Sequence, residues 1–276
     1  MDPVLLSDWT LDPSILTGIL VLAAIYALTA REDARPSRRH LACWTLGLAS
    51  LVFALMSPLD VLSDDTLLTA HMIQHLFLLL IVPTLLLFGA PDRLLEILAE
   101  VAQLPFLRWL CQPLGAFAVA TVVLWVWHVP YFYEAALNNS LLHAFEHLGY
   151  LVTATLYWWP ILRPTSSPWP IAEPIQILYL FGGALTSSMV GALITFSSTV
   201  LYPTYLHPIL FASFRQALGM SALDDQIFGG LLMWTVGGIW CFVAAMIAFA
   251  HWFAQEDQEN TLPTLGYDLP RKGVSS

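Results

Sequence analysis

Charge is what this sequence has least of. Only 11% of its 276 residues are Asp, Glu, Lys or Arg, while 58% are hydrophobic and the mean hydropathy is +0.70. A soluble domain of this length has too little interior to hide so much apolar surface, which excludes a soluble globular protein and makes lipid the solvent. Basic residues are scarcer than acidic ones, ten against twenty, and the net charge of −10 gives no footing for a nucleic-acid partner. Cysteine is nearly absent. Cys43, Cys111 and Cys241 are scattered with no CxxC spacing, so neither a disulfide nor a thiolate metal site is expected. The first residues carry Asp2, Asp8 and Asp12 but no early Lys or Arg, so the basic start of a secretory signal peptide is missing and none is expected.

What the sequence does have is long apolar runs. Seven windows approach or reach the roughly 18–25 residues that cross ~30 Å of hydrocarbon. They are Ile15–Ala30, His40–Ser57, Thr66–Phe88, Leu114–Val129, Leu141–Leu162, Ile175–Ser198 and Ile227–Phe253. Backbone polar groups in lipid must be satisfied within their own segment, so the windows are helices and the fold class is all-α, an integral membrane bundle of seven transmembrane helices. Asp12-Pro13 suits an N-cap and a first helical residue, Pro58 and Pro130 sit just past helix ends, and Pro83 should kink the third window. Residues 92–112 carry Glu96 and Glu100 four apart against an apolar face and read as a helix lying on the membrane interface. Gly182, Gly183, Ser187 and Gly191 in the sixth window suit close helix packing. Residues 1–254 form one transmembrane domain, and 255–276 read as a polar, disordered tail.

The ten basic residues set the orientation. Arg31, Arg35, Arg38, Arg39, Arg93, Arg108, Arg163, Arg271 and Lys272 fall on one side of the seven windows and only Arg215 on the other. Basic loops stay in the cytoplasm, which places the N-terminus outside and the C-terminus inside.

With that orientation each histidine has an address. His71 and His75 begin the third window from the outside, His128 ends the fourth on the outside, and His143 and His147 begin the fifth from the outside. Each i,i+4 pair puts two imidazoles on one helix face, at the same depth as the other pair and as His128. Several polar groups meeting in lipid mark function, whereas a single one is more often a packing partner for a neighbouring helix. His207 in the long outer loop, His40 at the interface and His251 near the end of the seventh window are such single residues. Imidazole suits copper or zinc, and a thioether shifts preference toward Cu(I). Met72 and Met233 are optional soft ligands, with Met220 farther off in the loop. Glu146 and Asp225, beside Asp224, are candidates for orienting a ligand or balancing a bound cation.

Three chemistries fit those residues. HAFEH, His143 to His147, matches H-x-x-E-H, in which two His bind zinc and the Glu is general base; an intramembrane zinc protease would use it, given a third ligand. A b-type haem protein would take one His from each of two helices, but the second His of each pair, roughly 5–6 Å along the helix, would crowd the macrocycle. A protein that holds copper at the outer face and passes it on needs several His, nearby Met and no catalytic machinery.

Three blocks carry a family resemblance. HMIQHLFLLLIVPTLLLFGAP, His71 to Pro91, resembles a block H-M-x-Q-H followed by Pro and Gly-x-Pro. WHVPYFYEAALNNSLLHAFEHLGYLVTATLYWWPIL, Trp127 to Leu162, resembles one built on H-x-P, H-x-x-x-H and W-W-P. LDDQIFGGLLMWTVGG, Leu223 to Gly238, resembles a D-Q-x-x-G-G-x-x-M-W block. Together they resemble the CtaG assembly factors of caa-type cytochrome c oxidase, seven-span proteins of the bacterial plasma (inner) membrane. On that resemblance His71, Met72, Gln74, His75, His128, His143, His147, Asp225, Gln226 and Met233 fall on motif positions. The resemblance implies a non-enzymatic role: copper, as Cu(I), taken from a soluble donor and supplied to the haem-copper oxidase subunit that carries a copper centre. The acidic outer residues Asp60, Asp64, Asp65, Glu134 and Asp224 would attract a basic partner surface. The outer loop containing TYLHPILFASFRQALGM is longer than the family's usual one, which leaves His207 and Met220 outside its motifs.

Overall fold

Where lipid replaces water, backbone N–H and C=O groups must pair inside their own segment. The computed structural model describes residues 8–31, 37–163, 166–208 and 211–261, and among these it holds helices and no strand. In chain order they are α1 (Pro13–Thr29), α2 (Arg38–Met56), α3 (Pro58–Asp65), α4 (Leu68–Leu76), a π-helical turn (Phe77–Ile81), α5 (Val82–Gly89), α6 (Asp92–Ala102), α7 (Pro105–Cys111), α8 (Pro113–His128), α9 (Pro130–Leu137), α10 (Ser140–Leu162), α11 (Glu173–Thr195), a 3₁₀ turn (Pro203–Leu206), α12 (Ala212–Ala217) and α13 (Ala222–Thr261).

Helix fills each of the seven apolar windows. By length and composition four runs are able to cross a membrane: α2, the continuous stretch Leu68–Gly89, α11, and Ala222–Asp257 of α13. A fifth forms if α7 and α8, bent by 74° between Cys111 and Pro113, count as one broken span. α1 is apolar but only 17 residues long. α10 has 23 residues, but His143, Glu146 and His147 dilute its apolarity. The molecule is inverted relative to a water-soluble protein. Leu178, Phe181 and Phe242 are 69%, 66% and 65% exposed, while His71, Gln74 and Asp225 are fully buried. That is the distribution of a chain surrounded by lipid.

Several local expectations meet specific contacts. Asp12 caps α1, its carboxylate accepting from the Ser14 N–H at 2.7 Å, with Pro13 as first helical residue. Pro58 and Pro130 do more than follow helix ends, since each is the first residue of a new short helix. Pro83 is absorbed without breaking the Leu68–Gly89 run. A π turn precedes it, and the carbonyl of Leu79, which a residue other than proline at 83 would bond, instead accepts from the Trp158 indole N–H at 2.9 Å. The segment 92–112, read as one interfacial helix, is two. Pro105 has no N–H to continue α6 and opens α7. The Arg163 guanidinium meets Asp92 at 2.6 Å and ties the start of α6 to the end of α10.

α11 and α13 form the most extensive helix pair, and small residues let them approach. A Cβ on Gly191 would lie 2.8 Å from the Gly230 carbonyl oxygen, and one on Gly230 would lie 2.5 Å from Thr195 Oγ1. α13 stays helical to Thr261, past the boundary expected at residue 254. The tail beyond it, with Arg271 and Lys272, lies outside the described residues, as do Asp2 and Arg35.

Candidate metal centre

Three helices deliver the five histidines. Asn139 caps α10, its side-chain oxygen accepting from the N–H groups of Leu141 and Leu142 at 3.0 and 3.1 Å. That sets His143 and His147 one turn apart. α8 stops at His128 because Pro130 follows two residues later and forces the intervening Val129 out of the helical region. α4 presents His71 and His75 from its first two turns.

The rings form one cluster. Centroids lie 4.2 Å apart for His71–His75 and for His143–His147, 5.6 and 6.3 Å for His71 to His143 and His147, 6.0 Å for His75–His147 and 5.5 Å for His75–His128. Glu146, on the same helix face, reaches inward. Its Oε1 is 3.4 Å from His75 Nε2, without the alignment of a hydrogen bond. Seven buried ligand atoms here have no hydrogen-bond partner: Nε2 of His71, His128, His143 and His147, both ring nitrogens of His75, and Oε1 of Glu146. An unpaired buried polar atom costs about 1–3 kcal/mol, so seven in one place form a donor set that could hold a cation.

Hydrogen bonds fix two tautomers. His71 Nδ1 faces the Ser63 carbonyl at 3.3 Å, and His128 Nδ1 faces the Leu124 carbonyl at 2.7 Å. A carbonyl has no proton to give, so both Nδ1 atoms are N–H donors and both rings present the Nε2 lone pair. Two groups bring three ligand atoms within 4.8 Å of one another: His71, His143 and His147, and His71, His75 and Glu146. Ligands at roughly 2.0–2.1 Å from one ion lie at most about 4.2 Å apart, so small side-chain rotations close either group around a cation.

Tyrosines wall the cluster and tie a cover over it. The Tyr133 ring lies tilted at 4.9 Å from the His71 ring, and the Tyr150 ring tilted at 4.6 Å from the His75 ring. The Tyr150 hydroxyl is 3.2 Å from His128 Nδ1. Tyr205, from the α11–α13 connection, donates to the Ser63 carbonyl at 2.7 Å. Its proton is thereby used, so Tyr133 donates to it across 2.8 Å. Tyr202 donates to the His128 carbonyl at 3.0 Å. Glu134 of α9 accepts from the Thr204 N–H and hydroxyl, and Arg215 donates to the Tyr205 carbonyl. The least buried edge of the cluster lies beside α3. The His143 side chain is 17% exposed, and its Nδ1 is 4.0 Å from the 53%-exposed carboxylate of Asp64.

The remaining candidates sit elsewhere. Gln74 donates to the Ala54 carbonyl at 3.0 Å and to the Asp60 carboxylate at 2.8 Å, binding α4 to α2 and α3. Burial pushes the Asp60 carboxyl up to about 6, against the lowering effect of the Gln74 and Thr10 hydrogen bonds. Asp225, expected beside the imidazoles, is committed to backbone instead. Its carboxylate accepts from the N–H groups of Leu68 and Thr69 at 2.6 and 3.1 Å, capping α4, whose own N-cap residue Leu67 has no capping side chain. Gln226 accepts from the Leu201 N–H at 2.6 Å and donates to the Thr199 carbonyl at 3.0 Å, fixing the chain as it leaves α11. Met72 packs toward Gly229 of α13, and Met233 lines an apolar cavity with Leu76, Leu124 and Cys241. His207 and His251 are exposed, and His40 and Met220 are partly so. The sequence reading missed the tyrosines and Ser63. The run LYPTYLH, with two tyrosines in a polar loop, was the available signal.

The family model described as cytochrome c oxidase caa3 assembly factor, Caa3_CtaG, matches residues 19–255. The chain belongs to the Caa3_CtaG family. The match contains all five clustered histidines, Glu146 and the tyrosines around them. Among curated proteins, the uncharacterized protein Mb0105 of Mycobacterium bovis and the uncharacterized protein MT0111 of Mycobacterium tuberculosis are each 25% identical over 277 residues, covering 91% of this chain and 40% of their own length. The uncharacterized protein ML1998 of Mycobacterium leprae is 24% identical over 264 residues, 88% of this chain and 38% of its own length. This Caa3_CtaG chain thus spans about two-fifths of the curated relatives it matches. No solved structure matches it.

Proposed function

We propose that this protein takes up Cu(I) at the five-histidine centre and delivers it to a haem-copper oxidase during assembly, without catalytic turnover. The observation that carries the reading is the set of seven unpartnered ligand atoms on three helices, in a chain of an oxidase assembly-factor family. A monovalent ion beside the single Glu146 carboxylate gives a neutral buried assembly, the cheapest state for a charge in an apolar surround. Zn(II) there would leave one uncompensated positive charge. Imidazoles without a closed thiolate shell let the ion leave by stepwise ligand exchange, which delivery requires. The soluble donor and the oxidase subunit that carries a copper centre meet the cluster at its least buried edge, beside Asp64. Asp64 and Asp224 stay exposed, whereas Asp60 and Glu134 turn inward to bond Gln74 and Thr204.

The membrane arrangement belongs to the same reading. With α7 and α8 counted as one broken span, α1 and α10 bring the five apolar runs to seven crossings, in the bacterial plasma (inner) membrane, with the N-terminus outside and the histidine centre on the outer side. Residues 1–254 act as one transmembrane unit, and 255–276 are a cytoplasmic tail. The zinc-protease reading has a third ligand in His71, but its general base, Glu146, is 1% exposed and faces His75, where no substrate reaches it. Rings 4.2–6.3 Å apart leave no room for a haem between them. The test replaces His71 and His75 with Ala at normal protein level and measures copper per oxidase. Copper-poor oxidase, restored by excess copper in the medium, is the expected result; full copper loading would overturn the proposal.

A further inference from the structure

We infer that the centre holds two stations for one ion, a mouth station and a deep station, and that the ion passes between them when His71 changes partners. This rests on the copper reading above. The two ligand groups, His71 with His143 and His147, and His71 with His75 and Glu146, share a single residue. His71 spends its Nδ1 proton on the Ser63 carbonyl, so it has one lone pair, at Nε2. A neutral imidazole with one lone pair binds one ion at a time. Bridging two would require an imidazolate and the loss of the Ser63 bond. Ser63 is held in turn by the Tyr205 hydroxyl, and Tyr205 by Tyr133. The ring is therefore anchored at Nδ1 and turns its Nε2 toward either group. Full three-fold coordination is open to only one station at a time.

The stations differ in access and in charge. At the mouth, His143 is partly exposed and adjoins the exposed Asp64. The deep station is closed, with His75 and Glu146 each 1% exposed, and His128 Nε2 stands by as a further unpartnered donor. The mouth offers only imidazoles, whereas the deep station adds a carboxylate in an apolar surround. Coulombic attraction is strongest there, because little water screens it. The ion therefore exchanges with partners at the mouth and rests in the deep station. No bond is made or broken except metal–ligand bonds, and copper stays Cu(I) throughout.

The experiment uses the full chain in nanodiscs, titrated anaerobically with Cu(I) against the chromophoric chelator bicinchoninate, with stopped-flow release to the same chelator. Wild type should bind one Cu(I) per chain. His75→Ala should exchange the ion as fast or faster and lose at least about tenfold in affinity. His143→Ala should keep its affinity and slow both uptake and release by about tenfold or more. His75→Gln and His143→Gln, of similar reach, repeat each arm if an Ala variant does not fold as judged by its helical circular dichroism. Two Cu(I) per wild-type chain would overturn the single-ion relay, and so would equal affinity losses in the two variants with unchanged rates. In both of those cases copper binding itself survives. Wild type that takes no Cu(I) from the chelator would overturn the copper reading together with the relay.

Discussion

Asp225→Ala tests whether a carboxylate buried in this bundle serves the metal or the fold. Asp225 is fully buried and 156–157 residues away from the two N–H groups it caps, at 2.6 and 3.1 Å. Its removal leaves the Leu68 and Thr69 N–H groups at the start of α4 without acceptors. Each orphaned buried donor costs about 1–3 kcal/mol, and N-cap truncations cost about 0.5–2 kcal/mol, so a loss of about 2–4 kcal/mol is expected. Asp225→Asn keeps one acceptor oxygen and should lose about half as much. The assay is reversible unfolding in mixed micelles, titrated with SDS and followed by circular dichroism. Cu(I) affinity is measured on the folded fraction. A stable Asp225→Ala protein with weakened Cu(I) binding would refute the capping role and return Asp225 to the metal.

Two further perturbations probe the scaffold. Trp158→Phe removes the donor to the Leu79 carbonyl and should cost about 1–2 kcal/mol; Pro83→Ala returns a backbone N–H to that carbonyl, so in a double-mutant cycle the Trp158→Phe loss should shrink, and strict additivity would contradict the pairing. The Asp60 carboxyl, raised by burial to about 6 from an ordinary 3.8 with Asp12 nearby, favours the folded state fully below pH ~3.8 and loses that contribution as pH rises through about 6. The stability of Asp60→Asn relative to wild type should therefore increase between pH 4 and 7 in the same SDS titration, and a pH-independent difference would contradict it.

Much of the helix pattern was legible because lipid leaves the backbone one choice, and all seven apolar windows are helical. The two i,i+4 histidine pairs were legible for the same reason, since helical spacing fixes a shared face. What brings α4, α8 and α10 together is tertiary packing, which leaves no period in the sequence. Asp225 was read toward the metal because a carboxylate at the edge of an apolar run looks alike whether it serves an ion or a backbone N–H. The distinction lies in Leu67, a residue unable to cap α4, more than 150 positions away. Tyr133, Tyr150, Tyr202 and Tyr205 come from three separate segments and share no spacing. The 92–112 segment was legible in composition but was read without the break that Pro105 imposes.

The claim that imidazoles hold the copper is tested most directly by X-ray absorption on the full chain loaded with one equivalent of Cu(I). The five-histidine centre predicts a low-coordinate nitrogen and oxygen shell with the outer-shell scattering of imidazole, lost when His71 and His75 are both replaced by Ala. A shell dominated by sulfur, from Met72, Met233 or Cys241, or an unchanged spectrum in the double variant, would contradict it.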